Sequence, residues 1–143
     1  PDRFHDLACH VNIIPAVDQL ETNVFSQQLE IRELLAKTDT KVMAWAPMAQ
    51  GKDNFFNHEV LTAIGAKYGK TATQVGLRFL VQQGIPAIPK STSAERMKEN
   101  FDIFDFHLSD EDMETLKTLN LHDGGTRDYT DLDYAIRIIA QTF

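Results

Sequence analysis

The strongest chemical signal in this chain is a pair of cations placed around a turn between a strand and a helix. Residues 85–88 form an apolar run that is too short for a helix and has no polar face, which is typical of a strand buried on both sides. Ser93 can cap a helix that begins at Ala94, so Lys90 precedes this helix and Arg96 lies in its first turn. Free backbone N–H groups, a positive helix end and two cations together predict a phosphate-binding corner.

The same stretch resembles the adenosine-phosphate signature of the aldo-keto reductases. The similarity rests on Ile-Pro-Lys-Ser at residues 88–91, followed by Arg96 and by Glu-Asn at residues 99–100. It implies that NADPH is the cofactor and that Lys90, Arg96 and Ser91 contact its 2′-phosphate. Taken singly, either cation would be read as an ordinary surface charge. The whole spaced set favours the family interpretation.

The resemblance also assigns the adenine end of the cofactor. It implies that Glu99 and Asn100 reach the adenine. Thr92 stands at the position where many members of the family carry a residue next to the adenine, often an aromatic one. A threonine there leaves stacking on the adenosine open.

An earlier strand end resembles the part of the family that binds nicotinamide. Residues 15–21, Pro-Ala-Val-Asp-Gln-Leu-Glu, are similar to the family segment Pro-x-Val-Asn-Gln-x-Glu. The resemblance implies that Gln19 hydrogen-bonds the nicotinamide carboxamide, and an amide side chain has the donor and the acceptor that this requires. Asp18 replaces the usual asparagine. Without the resemblance, a structural role for Gln19 would be favoured.

A second strand end continues the resemblance. Residues 44–51, Ala-Trp-Ala-Pro-Met-Ala-Gln-Gly, are similar to Ala-Tyr-Ser-Pro-Leu-Gly-x-Gly. The resemblance implies that Trp45 stacks on the nicotinamide ring and that Met48 and Gln50 line the diphosphate. Ala46 lacks the hydroxyl of the family serine, so a hydrogen bond from that side chain is lost. A core aromatic is the alternative reading of Trp45.

Catalytic residues are not assigned within this chain. The family transfers a hydride from NADPH to a carbonyl, with a tyrosine acid tuned by lysine, aspartate and histidine, and these four belong to the first half of its barrel. None of Tyr68, Tyr129 and Tyr134 matches the catalytic tyrosine. No zinc-protease spacing, P-loop, G-x-S-x-G motif or cysteine pair occurs, so no metal site is predicted.

After a first helix, each expected strand is followed by one or two helices. We expect strands over residues 13–20, 42–46 and 85–88, and helices over residues 1–10, 27–38, 59–68, 72–84, from 94, and from 110. The Thr71–Gln74 spacing predicts a capping box, and Ser109 a further cap. Residues 121–130 are expected to form a loop and residues 134–143 a last short helix.

This order predicts an α/β fold of parallel βα repeats. By the family's order of motifs, residues 1 to about 120 correspond to the C-terminal half of a TIM (β/α)₈ barrel, from its fifth helix through strands six, seven and eight, and residues 121–143 form a C-terminal tail. A complete barrel takes roughly 250 residues. We therefore expect two open sheet edges, with the side chains of Val17, Val42, Ala44 and Ile88 facing the barrel interior.

Bulk properties limit the classes of partner. The chain has 143 residues and a net charge of −7, which disfavours a nucleic-acid surface. The single cysteine, Cys9, allows no internal disulfide, and the longest apolar run, residues 42–49, is far too short to cross a bilayer. We expect a cytoplasmic location, no membrane partner, and polypeptide preceding Pro1.

Three functions compete. The favoured one is the cofactor-binding half of an NADPH-dependent aldo-keto reductase that reduces an aldehyde or ketone, inactive as the 143-residue chain alone. Its expected partners are a carbonyl substrate and either the missing half of the barrel or a second copy. The alternative is a truncated, non-catalytic module that binds a nucleotide or a partner. A DNA-reading helix over residues 71–84 is disfavoured by the charge.

Overall fold

The computed structural model describes residues 2–121, in which two strands are each followed by a helix or helices and the last four elements are helices. In chain order they are α1 Asp2–His10, β1 Val17–Glu21, α2 Leu29–Ala36, β2 Lys41–Trp45, α3 Glu59–Tyr68, α4 Ala72–Gln82, α5 Ala94–Phe101 and α6 Asp110–Lys117. Two short 3₁₀ turns, Ala49–Gly51 and Phe55–Asn57, lie between β2 and α3. Residues 122–143, with the expected loop and last helix, lie outside the described residues.

The sheet is parallel, as the βα order predicts. Val17 lies opposite Lys41, and the register continues to Glu21 opposite Trp45. Residues 85–88 join the other side of β2, where Ala44 N–H donates to Pro86 O at 2.7 Å and Ile88 N–H donates to Ala44 O at 2.9 Å. The carboxyl ends of all three segments therefore meet at one edge of the sheet, where ligands collect in parallel α/β folds.

The third strand is shorter and more exposed than expected. Only Ala87 forms a bridge, with Ala44, because Pro86 and Pro89 have no N–H to donate. Ile85 is 4% exposed, but Ile88 is 46% exposed, so the prediction of burial on both sides is wrong. One face of this segment is open within the described residues.

The first strand also begins later than expected. Ile13 is 85% exposed and lies before the strand, which starts at Val17. The register places Val17 and Val42 on opposite faces of the sheet. Val42 and Ala44 are buried among the helices, so the prediction that they share the open face with Val17 is wrong.

Three aromatic rings and the aliphatic residues of α3, α4 and α6 form the core. The largest fully buried side chains include Phe25, Phe55 and Phe79. Gly76 on α4 is required by this packing, since a Cβ there would lie 2.7 Å from Cζ of Phe55. The inward side chains of α4, among them Val75, Phe79 and Leu80, are buried in this core.

Local capping signals are confirmed. Thr71 and Gln74 form both hydrogen bonds of the capping box of α4. Ser93 caps α5 through the N–H of Arg96, and Ser109 caps α6 through the N–H of Asp112. Within residues 2–121, no helix combines the length and the apolar character needed to cross a membrane.

Candidate functional site

A cavity of about 430 Å³ opens beside α5. It is lined by Met48, Phe56, Thr71, Ala72, Thr73, Lys90, Ser91, Arg96, Glu99 and Asn100. Six of these were predicted from the sequence: Met48, Lys90, Ser91, Arg96, Glu99 and Asn100. The structure therefore brings the expected phosphate corner and the expected adenine residues into one cavity.

The phosphate corner consists of two exposed cations at the start of a helix. Within residues 2–121, neither Lys90 nor Arg96 forms an ion pair. The turn between them is held by Ser91, whose Oγ accepts the N–H of Ser93 at 3.2 Å. Ser93 Oγ in turn accepts the N–H of Arg96 at 3.3 Å. A positive helix end and two cations without an ion-pair partner among residues 2–121 favour an anion at this corner.

Glu95, an acidic residue in the same turn, is hydrogen-bonded to the nearby Ser93. Ser93 Oγ donates to Glu95 Oε2 at 2.5 Å, and this hydrogen bond holds the pKa of the Glu95 carboxyl below its ordinary value. Glu95 is exposed and does not line the cavity. Its charge therefore does not neutralise Lys90 or Arg96 by direct contact.

Two further lining residues of the cavity are the acidic Glu99 and the neutral Asn100. Glu99 Oε1 accepts the hydroxyl proton of Thr71 at 2.6 Å. Asn100 is half-buried, and its side chain offers both a donor and an acceptor. Glu99 and Asn100 therefore add to the cavity wall hydrogen-bonding groups of the kind that a heterocyclic base requires.

Phe56 is a lining residue that the sequence did not reveal. It is 52% exposed, and its ring meets the buried ring of Phe55 edge to face at 5.6 Å. Gly51, at φ 76°, allows this approach, because a Cβ there would lie 3.0 Å from Cε2 of Phe56. The paired aromatics after a glycine-containing turn were the only available signal.

Four predicted cofactor residues do not line this cavity: Gln19, Trp45, Gln50 and Thr92. Gln19 is exposed, and its Nε2 lies 3.8 Å from the sulfur of Met43. The register places it two residues before the end of β1, next to β2, which ends at Trp45. Thr92 and Gln50 are exposed, and Gln50 has a φ of 56°. Their assigned roles stay predictions.

Asp18 departs from the family asparagine and has an unusual environment. It is half-buried on β1, and desolvation by burial raises the pKa of its carboxyl above the ordinary value. It lies next to Gln19 on the opposite face of the strand.

Among residues 2–121, no group of three or more His, Cys, Asp or Glu side chains could hold a metal ion.

Comparisons with known proteins identify one family. The model of the aldo/keto reductase family matches residues 2–121. Aldose reductase C of Dictyostelium discoideum is 41% identical over 115 residues, a match that covers 80% of this chain and 36% of that protein. Glyoxal reductase of Bacillus subtilis is 40% identical over 117 residues, which covers 82% of this chain and 42% of that protein.

Solved structures give the same result. An aldo-keto reductase from a deep-sea metagenome library superposes with a TM-score of 0.87 at 30% identity, covering 94% of this chain and 50% of that one. An aldo-keto reductase of the silkworm Bombyx mori, solved in complex with NADPH, gives a TM-score of 0.77 at 34% identity, covering 89% and 41%. The chain thus spans half or less of the length of each of these proteins.

Proposed function

Because this chain belongs to the aldo/keto reductase family, we propose that it holds the adenosine 2′-phosphate end of NADPH for an enzyme that reduces carbonyl compounds. The supporting observation is the pair of unpaired cations, Lys90 and Arg96, in one cavity with Ser91, Glu99 and Asn100. The silkworm relative of similar fold was solved with NADPH.

The residues of the cavity fit this cofactor in charge and in shape. Arg96 and Lys90 provide charge-assisted hydrogen bonds to a 2′-phosphate, aided by the N-terminal end of α5. Phe56 offers an exposed aromatic face on which a base can stack. Glu99 and Asn100 offer the polar groups that fix the orientation of that base.

The nicotinamide end is proposed to lie at the carboxyl ends of β1 and β2. Gln19 and Trp45 lie on neighbouring strands of the parallel sheet, on the same face by register. Met48, a lining residue of the cavity, follows β2 and connects the two ends, with Gln50 beside it. NADPH supplies the hydride, and the chain binds and orients the cofactor.

The proposed place of the chain is the C-terminal half of a (β/α)₈ barrel, as strands six, seven and eight. The aligned relatives are two to three times as long as the matched segment. We propose that the acid that protonates the reduced carbonyl lies in the other half. A carbonyl substrate, as in the printed names aldose reductase and glyoxal reductase, is part of this proposal.

A second candidate is a nucleotide-binding module without redox chemistry. It is favoured by one observation, that the cavity gathers the adenosine residues but neither Gln19 nor Trp45. The two candidates differ in turnover. Oxidation of NADPH by an aldehyde in the intact protein supports the enzyme, whereas tight NADPH binding without turnover supports the module.

The test is cofactor discrimination in the intact protein. We expect Arg96→Ala to weaken NADPH by about 10-fold to 100-fold, the effect of losing a hydrogen bond between charged groups, and NADH by about 2-fold or less. Lys98→Ala is the matched control, because Lys98 is exposed on the same helix but does not line the cavity. Dissociation constants come from fluorescence titration. Equal loss for both cofactors would contradict the phosphate assignment.

A further inference from the structure

Thr71, the residue before α4, hydrogen-bonds both Gln74 and Glu99. Its Oγ1 accepts the N–H of Gln74 at 3.3 Å, and its own N–H donates to Gln74 Oε1 at 3.0 Å. The same Oγ1 lies 2.6 Å from Oε1 of Glu99. A hydroxyl has one proton to donate. The charged and nearer Glu99 carboxylate takes it in preference to Gln74 Oε1, which lies 3.4 Å away.

Gln74 holds the backbone of the same part of α5. Its Nε2 donates to the carbonyl oxygen of Glu99 at 3.3 Å and to that of Asp102 at 2.9 Å. Gln74 is 5% exposed, so these bonds form largely out of contact with water, where they are stronger. Both the backbone and the side chain of Glu99 are therefore tied to the start of α4.

Lys70 fastens the end of α5 at a third point. Its Nζ donates to Asp105 Oδ2 at 2.8 Å and to Asp102 Oδ2 at 2.9 Å. The hydrogen bonds that Lys70 donates to Asp105 and, second in effect, to Asp102 raise the pKa of Lys70 above its ordinary value and keep it charged. Residues 70–74 thus form a continuous attachment between the α3–α4 junction and the C-terminal half of α5.

The attachment leaves one oxygen of Glu99 available. Within residues 2–121, Oε1 bonds to Thr71, while Oε2 has no hydrogen-bond partner. Glu99 lines the cavity together with Thr71 and Asn100. A carboxylate held by one oxygen is restricted in rotation, so its second oxygen is aimed before a ligand arrives. Such preorganisation lowers the entropy cost of binding.

We propose that Thr71 is a positioning residue of the nucleotide site, which holds the carboxylate of Glu99 so that Oε2 accepts a hydrogen bond from the amino group of the base. The inference rests on the proposed function but adds a role for a residue outside the family signature. Thr71 touches Glu99 and not the reacting atoms. It therefore affects cofactor affinity and leaves the chemical step unchanged.

The test uses two substitutions that both retain the helix cap. Serine and aspartate cap helices as well as threonine does, but Thr71→Ser keeps the hydroxyl proton, whereas Thr71→Asp replaces it with a charge facing Glu99. We expect T71S to bind adenosine 2′,5′-bisphosphate within about 2-fold of the unchanged protein. We expect T71D to bind it about 10-fold more weakly, because a charged hydrogen bond is lost and like charges meet.

A second substitution at Glu99 provides the rescue. In T71D/E99Q the new amide can donate to the new carboxylate, which restores the link with reversed polarity and leaves the amide oxygen for the base. We expect this double variant to bind the bisphosphate more tightly than T71D alone. Thermal unfolding of all variants should be similar. In turnover assays, the KM for NADPH should rise for T71D while kcat at saturating NADPH stays unchanged.

The controls separate the two proposals. Arg96→Ala is measured beside T71D in the intact protein by calorimetric titration. If R96A weakens the bisphosphate and T71D does not, the positioning role is wrong and the proposed function stands. If R96A leaves the bisphosphate affinity unchanged, the proposed 2′-phosphate site itself is wrong. A double variant no better than T71D also contradicts the link through Glu99.

Discussion

The two sides of α5 expose cavities of equal volume and opposite chemistry. On one side, the cavity of about 430 Å³ carries Lys90, Arg96 and Glu99. On the other side, a groove of about 430 Å³ is lined mainly by apolar side chains: Leu77, Val81, Pro86, Ala87, Pro89, Met97, Asn100, Phe101, Ile103 and Phe104. Asn100 contributes to both. One short helix therefore separates a surface suited to a charged ligand from one suited to protein.

The difference shows that α5 exposes two kinds of group: charged side chains on one side and apolar side chains on the other. The cations on the polar side are compatible with water and are neutralised by a phosphate when one binds. The rings of Phe101 and Phe104, 76% and 61% exposed, meet each other at 5.6 Å but leave much apolar area in water. We propose that a ligand pairs with the charged groups and that polypeptide covers the apolar ones.

The largest expected effect is on turnover of NADPH by the 143-residue chain alone. We predict that residues 1–143 by themselves bind NADPH but do not oxidise it with a reactive aldehyde. General acid assistance is worth about 10²–10⁴-fold in rate, and it is proposed to come from the other half of the barrel. The measurement is NADPH absorbance against time. Turnover of about 1–10³ s⁻¹, ordinary for an enzyme, would show that the chemistry lies in this chain.

The apolar side leads to a prediction about association. We propose that the groove, with the open edges of β1 and of residues 85–88, is covered by the remaining strands and helices of a barrel. The aligned relatives contain additional polypeptide outside the matched segment, since the match covers at most half of their length. The isolated 143-residue chain should therefore self-associate in light scattering, because apolar surface and open edges are exposed in it.

A matched pair of variants sharpens this prediction. Phe101→Ser with Phe104→Ser should reduce the association of the isolated chain. Leu29→Ser removes an exposed apolar side chain from α2, outside the groove, and should leave it unchanged. A monodisperse monomer that unfolds cooperatively at high concentration would contradict the open groove and edges.

The smallest effect is expected at Asp112 on α6, where the carboxylate already has its hydrogen-bond partners. Asp112 is buried, and burial alone would raise its carboxyl pKa, but hydrogen bonds from Lys67, Tyr68 and Ser109 outweigh this and hold the pKa below the ordinary value. Asp112→Asn should lower the free energy of unfolding by about 1–3 kcal/mol at pH 7. Chemical denaturation of the intact protein measures it.

The pH dependence of this effect has a definite sign. A carboxyl with a lowered pKa in the folded state stabilises the fold fully above its unfolded value of 3.8 and loses that contribution as the pH falls through the folded pKa. The unchanged protein and D112N should therefore differ most above pH 3.8 and converge below it. A difference that is constant through the acid range would contradict the assigned charge.

Signals between residues close in sequence predicted most of the local structure. Thr71 with Gln74, Ser93 with Arg96 and Ser109 with Asp112 cap helices at the expected places. In each case the donor and acceptor lie within three residues, so no tertiary information is needed. The phosphate corner is of the same kind, because one turn and the helix after it carry both cations.

Some properties that depend on distant neighbours were not predicted, although the parallel pairing of β1 with β2 was. The face of Val17 relative to Val42 depends on the register between two strands, and the exposure of Ile88 depends on what adjoins a strand weakened by prolines. The hydrogen bond of Thr71 to Glu99 joins residues separated by 28 positions. Such contacts are fixed by packing and leave no periodic signal in the sequence.

The most direct test of the central claim compares two nucleotide fragments on the intact protein. Adenosine 2′,5′-bisphosphate and adenosine 5′-monophosphate differ only in the 2′-phosphate that Lys90 and Arg96 are proposed to hold. We predict that the bisphosphate binds about 10²-fold more tightly, from two charge-assisted contacts, and that K90A/R96A abolishes the preference. Equal affinity of the unchanged protein for both fragments would contradict the claim.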